Sequence, residues 1–354
     1  MKKAYPIIYV LSWIVILIIL PMPLIWLLNS EMIDAPSRLI AYDAGIIAYV
    51  YWLAIVLLST RPKWLEKYIG LPSMYFLHAL VGVFALIAAT YHKFNSFSLD
   101  QNVKLTGNIA WYLAIFGIIY AIFFMSGWLV DRSKTLLKVK RNLEKVFTHR
   151  VSLWIHRISI IMILLIWLHV SLITRISLLP LFPKAFDLYT VFFLGIYVVV
   201  KIRQRIGTNA ELVKNVELSP KVQQLTFMLK KPEKVEAGDF FFVSLRGSGI
   251  SAEFHPLSIT NDPDDGRKLV FTIQRTGDWS KKVDQIPVGT LAYLEGPFGQ
   301  FEKIIEKGSK TQPLILYGLG SGISPLLSIA EKYVKSRDIT LLWSSAGGET
   351  ILSF

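Results

Sequence analysis

Four of the six histidines lie inside apolar segments, where an imidazole can hold a metal or a prosthetic group. The stretch SMYFLHALVGVFALIAATYHKF carries His78 and His92, and VSLWIHRISIIMILLIWLHVSL carries His156 and His169. A polar ring in hydrocarbon is costly unless it meets a binding group. The spacing is 14 positions in the first stretch and 13 in the second. These spacings correspond to about 21 Å and about 20 Å along a helix.

The spacing predicts two haem sites at two depths in a membrane. If the two helices run in the same direction, His78 can face His156. His92 can likewise face His169, and each pair can ligate one haem through both imidazoles. The alternative is that each histidine makes only an interhelical hydrogen bond. On an ideal helix His156 and His169 lie about 140° apart, so we expect helix tilt or a tightened turn between them.

The composition limits the redox chemistry that is open to the chain. The sequence has no cysteine, which excludes disulfides, thiolate-held iron–sulfur clusters, covalently attached c-type haem and a thiol nucleophile. Electron transfer would therefore need groups held by histidine or by non-covalent binding. The 354 residues are 53% hydrophobic and carry a formal net charge of +13. Such a chain is too apolar for an ordinary soluble protein and is long enough for more than one domain.

Six apolar segments precede a sharp change of character near residue 205. Most reach the approximately 20 residues that a spanning helix needs, and the last is shorter. The first runs into Pro21 and Pro23 without a small-residue cleavage site, so we interpret it as a retained anchor and not as a signal peptide. The segments are 7–28, 41–60, 72–92, 108–130, 151–173 and 186–200.

Basic residues predict the orientation of these segments. Lys and Arg number 15 in the loops on one side and 5 on the other. The positive-inside rule then places both termini in the cytoplasm, and we expect a multi-pass plasma-membrane protein. Because the charge flanks the membrane, we expect contact with the lipid bilayer and no nucleic-acid partner. The predicted outer loops hold about 12 to 15 residues each, which indicates a small diffusing electron acceptor.

The remaining sequence predicts two soluble parts. Residues 206–305 hold the β-rich runs KVQQLTFML, DFFFVSL, KLVFTIQ and GTLAYLEG, which indicate a small antiparallel barrel. Residues 306–354 begin a βαβ unit with a Gly-rich turn that can bring backbone amides to a phosphate. The alternative is a merely tight turn, because GLGSGISP is not the usual GxGxxG. The candidate residues of this turn are Gly318, Gly320, Gly322, Ser324 and Pro325.

Several motifs together resemble the NADPH oxidase and ferric reductase transmembrane family, in its bacterial flavocytochrome b form. The two histidine pairs are similar to its haem ligands. HPLSIT resembles its flavin-binding His-Pro-Phe-Thr motif, and TGDWS resembles its Gly-Asp-Trp-Thr segment. GPFG and GLGSGISP resemble its later glycine motifs, and the order along the chain is the same. The resemblance implies a six-helix transmembrane bundle with two haems over residues 1–205. A ferredoxin-reductase-like module would follow, with an FAD-binding β-barrel and an incomplete α/β nicotinamide domain.

The resemblance also implies an electron path and its binding residues. NADPH or NADH would bind at the Gly-rich turn and reduce FAD in the barrel, and two b-type haems would carry the electrons to the outer face. Pro256, Leu257 and Ser258 would lie along the flavin, whereas His255 has an equally good interpretation as a structural residue. The residues expected near the flavin phosphates are Arg275, Gly277, Trp279 and Ser280, although Arg275 can also be a solvated surface residue.

The acceptor remains open between oxygen and a metal. Arg38 resembles an arginine that the oxidases keep near the outer haem, where it would help to stabilise superoxide. It can also bind a propionate of that haem, or it can equally be a snorkelling residue at a helix end. Arg157 beside His156 can pair with a propionate of the inner haem or snorkel to the cytoplasmic surface. A ferric or cupric reductase and a haem subunit that serves a partner are the alternatives to an oxidase. WSSAGGETILSF lacks the arginine that would meet a 2′-phosphate, so the choice between NADPH and NADH and the oligomeric state stay open.

Overall fold

The computed structural model describes residues 7–32, 38–127, 130–247, 249–250, 252–309 and 311–345, without the side chains of 149 and 150. The chain forms two compact units. One comprises Met1–Pro62 and Pro72–Val199, and the other comprises Lys63–Leu71 and Val200–Phe354. The second unit thus includes a short stretch from far earlier in the chain, which the predicted division at residue 205 does not contain. The last nine residues of the predicted nicotinamide domain lie outside the described residues.

The first part of the chain is helical. In chain order the helices are α1 (Ile7–Ile14), α2 (Met22–Glu31), α3 (Leu39–Leu58), α4 (Lys63–Ile69), α5 (Leu71–Asn95), α6 (Gln101–Tyr120), α7 (Lys134–Leu143), α8 (His149–Leu172), α9 (Thr174–Ser177) and α10 (Phe182–Ile206). A π-helical stretch, Val15–Ile19, follows α1, and another, Ala121–Met125, extends α6.

Six helical stretches of the described residues are long and apolar enough to cross a membrane. The six predicted segments are therefore present, and the chain is a multi-pass membrane protein. The spans are Ile7–Glu31, Leu39–Leu58, Leu71–Asn95, Gln101–Met125, Val151–Leu172 and Phe182–Ile206.

The predicted bounds of two spans were wrong. The fourth begins at Gln101 because the carboxylate of Asp100 accepts the backbone N–H groups of Asn102 and Val103, which caps a polar first turn. The sixth was predicted to be short, yet it has 25 residues and runs through basic residues to Ile206. Hydropathy detects the apolar part of a helix and misses polar turns that continue it. The predicted outer loop at 93–107 therefore shrinks to residues 96–100.

The second unit contains a closed antiparallel sheet. Its strands follow the order β4-β3-β6-β1-β2-β5, and an antiparallel bridge between Ile259 and Phe271 joins its two edges. The bridge closes the sheet into the predicted barrel. The strands are β1 (Ala210–Ser219), β2 (Val222–Leu229), β3 (Phe240–Leu245), β4 (His255–Ser258), β5 (Lys268–Gln274) and β6 (Leu291–Phe298).

Four of these six strands were predicted from the sequence and two were not. Phe227, Phe241 and Phe271 are almost fully buried inside the barrel, and the regular burial of such residues makes the predicted runs recognisable. Strand β1 was not predicted because charged residues on its outer face obscure the alternation. Strand β4 was not predicted because it is short and contains Pro256, which is tolerated at the edge of a sheet.

The final described part is a βαβ unit, as predicted. Strand β7 (Leu314–Leu319) leads through a 3₁₀ turn into α12 (Ser324–Tyr333), and β8 (Ile339–Ser344) then pairs parallel to β7. A short helix, α11 (Phe301–Glu306), precedes this unit. Pro325 lies in the first turn of α12, where its missing N–H has no helical partner to lose.

Candidate functional site: paired imidazoles and a flavin-type barrel

The structure brings the four membrane histidines together in two pairs. The ring centroids of His78 and His156 are 5.9 Å apart, and those of His92 and His169 are 6.3 Å apart. Two metal–nitrogen bonds of about 2 Å each would place the centroids of opposed imidazoles roughly 6 Å apart. Both pairs therefore have the separation that one metal ion between two imidazoles requires.

Backbone carbonyls orient three of the four rings. His78 Nδ1 lies 3.0 Å from the carbonyl oxygen of Ile55 in α3. Because a carbonyl can only accept, Nδ1 must carry the proton, which leaves the Nε2 lone pair for a metal. His92 and His169 are held in the same way, with their Nδ1 atoms 2.8 Å from Ala41 O and 2.9 Å from Val103 O.

The fourth ring lacks this support. His156 Nδ1 is buried and has no hydrogen-bond partner among the described residues. The two pairs consequently differ, since His92 and His169 are both anchored whereas only His78 is anchored in the other pair. Of the two expected alternatives, helix tilt or a tightened turn between the histidines, the tightened turn is absent, because α8 is α-helical throughout. Its two rings reach their partners without a break in the helix.

Two glycines that the sequence did not single out make room for the rings of His92 and His169. A Cβ atom built on Gly45 would lie 2.9 Å from His92 Nδ1, and one on Gly107 would lie 2.9 Å from His169 Cε1. Both distances are shorter than a Cβ contact can be without movement. Small residues let helices approach closely in membranes, and that pattern is the only sequence signal for these two positions.

The donor set favours a metal that brings ligands of its own. Within the described part of the chain, no group of three or more His, Cys, Asp or Glu side chains can hold a metal ion. A bare zinc site would need three or four protein ligands. Two opposed imidazoles per site, with no cysteine, fit a haem, because its macrocycle supplies the remaining ligands to the iron.

The two arginines predicted near the haems have different surroundings. Arg38 is exposed at the N-cap of α3, about one helical turn before Ala41, whose carbonyl orients His92. Arg157 lies with its Cζ 4.9 Å from the ring centroid of Trp154, in a cation–π contact.

The barrel brings the two flavin-type segments into contact. His255 opens strand β4 and stacks on Trp279, with ring centroids 4.0 Å apart and planes 20° from parallel. Trp279 also packs against the barrel core, as does Leu257. The indole Nε1 of Trp279 is buried and has no hydrogen-bond partner among the described residues. Pro256 and Ser258 continue the strand and pair with Phe242 and Phe240 of β3.

The turn that carries Trp279 is stabilised internally. The hydroxyl of Ser280 accepts the backbone N–H groups of Thr276 at 3.1 Å and Gly277 at 2.9 Å. Arg275 Nη2 donates to Asp284 Oδ2 at 2.7 Å, and Glu217 lies 3.7 Å from the same guanidinium. The side chain of Arg275 is 18% exposed. Its charge already meets two carboxylates.

The Gly-rich turn combines packing with open backbone. A Cβ on Gly318 would lie 3.0 Å from Ile323 Cα, and Gly320 has a φ of 50°, which favours glycine. Trp343 donates from Nε1 to the carbonyl of Gly320 at 3.0 Å and holds the turn. By contrast, nothing lies within 4 Å of a Cβ on Gly322. Packing therefore requires a glycine at position 318, and the positive φ favours one at position 320. Gly322 leaves the backbone open beside the start of α12 at Ser324.

Buried carboxylates beside the GPFG motif were missed from the sequence. Burial raises the pKa of Asp239 to about 7, and neighbouring Glu236 and Glu66 add to the rise. Burial likewise raises the pKa of Glu66 in α4. A Cβ on Gly299 would overlap the carboxylate of Asp239. The last glycine of GPFG therefore has a packing role at this carboxylate.

Comparison with known proteins identifies the barrel. Residues 209–303 match the family described as the oxidoreductase FAD-binding domain. The reductase component 1 of terephthalate 1,2-dioxygenase from Comamonas sp. is 29% identical over 144 residues, which cover 39% of this chain and 41% of the relative. A cytochrome P450 reductase from Amycolatopsis is a structural match with a TM-score of 0.34 and 22% identity, over 40% of this chain and 44% of that one.

One relative extends the similarity into the helical unit. The putative respiratory burst oxidase homolog protein G of Arabidopsis thaliana is 23% identical over 259 residues. This match covers 67% of the chain but 29% of the relative, and the chain spans less than half of the length of both curated relatives named here. The chain therefore contains an FAD-binding domain of the oxidoreductase type over residues 209–303, and six apolar helices precede this domain.

Proposed function

We propose that this oxidoreductase is a transmembrane flavocytochrome. It passes electrons from NAD(P)H through FAD and two b-type haems to an acceptor on the outer face, with oxygen as the acceptor and superoxide as the product. The observation that carries the proposal is the pair of opposed imidazole sites in the same chain as an FAD-binding domain. A nicotinamide gives two electrons, a haem iron takes one, and a flavin can exchange either number.

The membrane residues would hold the two haems. His78 and His156 would ligate the inner haem, and His92 and His169 the outer one. The carbonyls of Ile55, Ala41 and Val103 fix the ring tautomers for ligation through Nε2. Because two histidines would hold each haem, the haems would supply one-electron transfer and would leave no position on the iron for an acceptor.

The barrel residues would bind and orient the flavin. Pro256, Leu257 and Ser258 would lie along the ring system at the edge strand β4. The turn that follows β5 would contact the flavin phosphates through Gly277, Trp279 and Ser280. In this role Arg275 would exchange one of its carboxylate partners for a phosphate, or would hold the turn through Asp284 without touching the cofactor.

The Gly-rich turn would bind the nicotinamide cofactor. Gly322 leaves room for a phosphate at the backbone, and Ser324 and Pro325 begin the helix whose N–H groups would face it. Gly318 and Gly320 would allow the backbone to form the turn and would not contact the cofactor. The sequence from Trp343 to Phe354 has no arginine that could meet a 2′-phosphate, so NADH and NADPH are both candidates.

The loop charges support an outward direction of electron flow. The proposed topology has both termini in the cytoplasm of a plasma-membrane protein, with the outer haem on the opposite side. Arg38 would lie near that haem and stabilise superoxide as it forms. Chelated ferric or cupric ions would use the same path if the protein is a metalloreductase.

Sealed vesicles that expose the cytoplasmic face would test this proposal. Added NAD(P)H should reduce both haems, and the reduced acceptor should appear inside. His169→Ala should remove the outer haem, keep flavin and inner-haem reduction, and stop transfer across the membrane. Oxygen consumption compared with anaerobic ferric reduction identifies the acceptor. A pyridine haemochrome assay that gives one haem per unmutated chain, or product on the NAD(P)H side of intact vesicles, would contradict the proposal.

A further inference from the structure

Helix α7 has two opposite faces of different chemistry. Lys134, Lys138 and Arg141 repeat at i, i+4 and i+7 and form one stripe along the helix. They line an open groove together with Leu137 and Asn142. On the other side lies a second stripe of Leu136, Val139 and Leu143.

The apolar stripe is only partly covered by the described protein, because Leu136 is half-buried whereas Val139 and Leu143 are exposed. No residue of α7 is buried, and the side chains of Val139 and Leu143 are 45% and 37% exposed. Val146, just after the helix, continues this side with 71% exposure. The helix is nonetheless well formed, because Ser133 caps its N-terminus and Lys140 pairs with Glu144. The exposed part of this apolar stripe would be stabilised by an apolar environment.

The position of α7 in the chain indicates what that environment is. The helix lies between the membrane spans that end at Met125 and begin at Val151, so short tethers hold it at the bilayer surface. The intervening stretch, 131–150, has seven Lys or Arg residues and only Asp131 and Glu144 as acids. A basic polar face opposite an apolar face is the pattern of a helix that lies in a membrane interface.

We propose that α7 lies flat in the bilayer interface and binds anionic phospholipid headgroups. Val139 and Leu143 would enter the acyl boundary. Lys134, Lys138 and Arg141 would extend to the phosphates, where each basic residue contributes to attraction for an anionic surface. This inference is independent of the haems and of the flavin, and it rests only on the membrane placement of the neighbouring spans.

The absence of cysteine makes a direct test practical. Val139→Cys can be labelled with a polarity-sensitive fluorophore in the full chain, reconstituted into nanodiscs of phosphatidylcholine with or without phosphatidylglycerol. We expect the emission to shift towards that of an apolar environment as the anionic fraction rises, and salt to weaken the response. The emission of a label at Val288→Cys, an exposed residue of the second unit, should not change with the lipid composition.

Two triple variants separate headgroup binding from a general charge effect. Lys134→Gln, Lys138→Gln and Arg141→Gln together should weaken the anionic-lipid response by about fivefold for each charge removed. The matched control removes three exposed lysines of the soluble unit through Lys281→Gln, Lys282→Gln and Lys335→Gln, and should leave the response unchanged. Haem and flavin absorbance verify that the variants are folded. A label that stays aqueous in both lipids, or an equal response in both triple variants, would overturn the proposal.

Discussion

Gly107→Ala should loosen the haem that we propose between His92 and His169 and spare the other proposed haem. The substitution adds one carbon to α6, and that carbon would lie 2.9 Å from His169 Cε1 and 3.0 Å from its Nδ1. The ring cannot retreat freely, because its Nδ1 is bonded to the carbonyl of Val103 in the same helix. Either this hydrogen bond or the alignment of Nε2 with the iron must give way.

The magnitude follows from the packing. Forcing an extra carbon into a filled site costs about 1–3 kcal/mol. If that cost falls on the haem-bound state, haem affinity at this site should drop by roughly 5- to 150-fold. Alanine is also a better helix former than glycine by about 0.5–1 kcal/mol, so the helix itself should not be weakened.

The matched control lies on the same helix. Gly117→Ala gives α6 the same gain in helix propensity, but nothing lies within 4 Å of its added carbon. Haem content by pyridine haemochrome and low-spin haem signals by electron paramagnetic resonance should be unchanged in this control. In Gly107→Ala one of the two signals should weaken or shift, in the manner of His169→Ala. Full retention of both haems with unaltered signals would refute the idea that Gly107 shapes the site.

Three further predictions concern other parts of the chain. Of the two proposed haems, the one between His78 and His156 should have the higher reduction potential. Among the described residues, His156 Nδ1 has no partner for the hydrogen bond that makes an imidazole a stronger donor. A spectroelectrochemical titration with His169→Ala as the reference checks this, and a single potential for both haems would argue against it. Trp279→Ala should lower FAD affinity by about one decade and Trp279→Phe by less, because stacking on His255 contributes about 0.5–1.5 kcal/mol. Flavin fluorescence titration measures both, and equal losses would contradict the stacking role. Asp239 has a pKa of about 7 in the folded chain against 3.8 as its usual value. Its contribution to stability is therefore present below pH 4 and is lost as the pH rises through 7. Asp239→Asn should raise the melting temperature at pH 8 but not at pH 4. The corresponding gain in the free energy of unfolding at pH 8 should be up to about 4 kcal/mol. A gain that is the same at both pH values would rule out ionisation as the cause.

Local patterns in the sequence were enough to establish the order of the elements. Hydropathy located six spans, and alternation located four barrel strands, because both depend on residues close together in the chain. The bounds failed where polar turns continue a helix, as at Asp100, and where charged residues interrupt the alternation of a strand, as in β1. The histidines stood out because a polar ring is rare inside an apolar segment.

Only the tertiary structure decided how these residues meet. The carbonyl that orients His92 belongs to Ala41, which is 51 positions away in the sequence. The space for the ring of His169 depends on Gly107 of another helix. The stack of His255 on Trp279 and the carboxylate partners of Arg275 likewise join different elements of the barrel. A single sequence records which groups are present, but contacts between distant segments depend on how helices and strands pack. That packing gave three imidazoles a hydrogen bond and left His156 without one among the described residues.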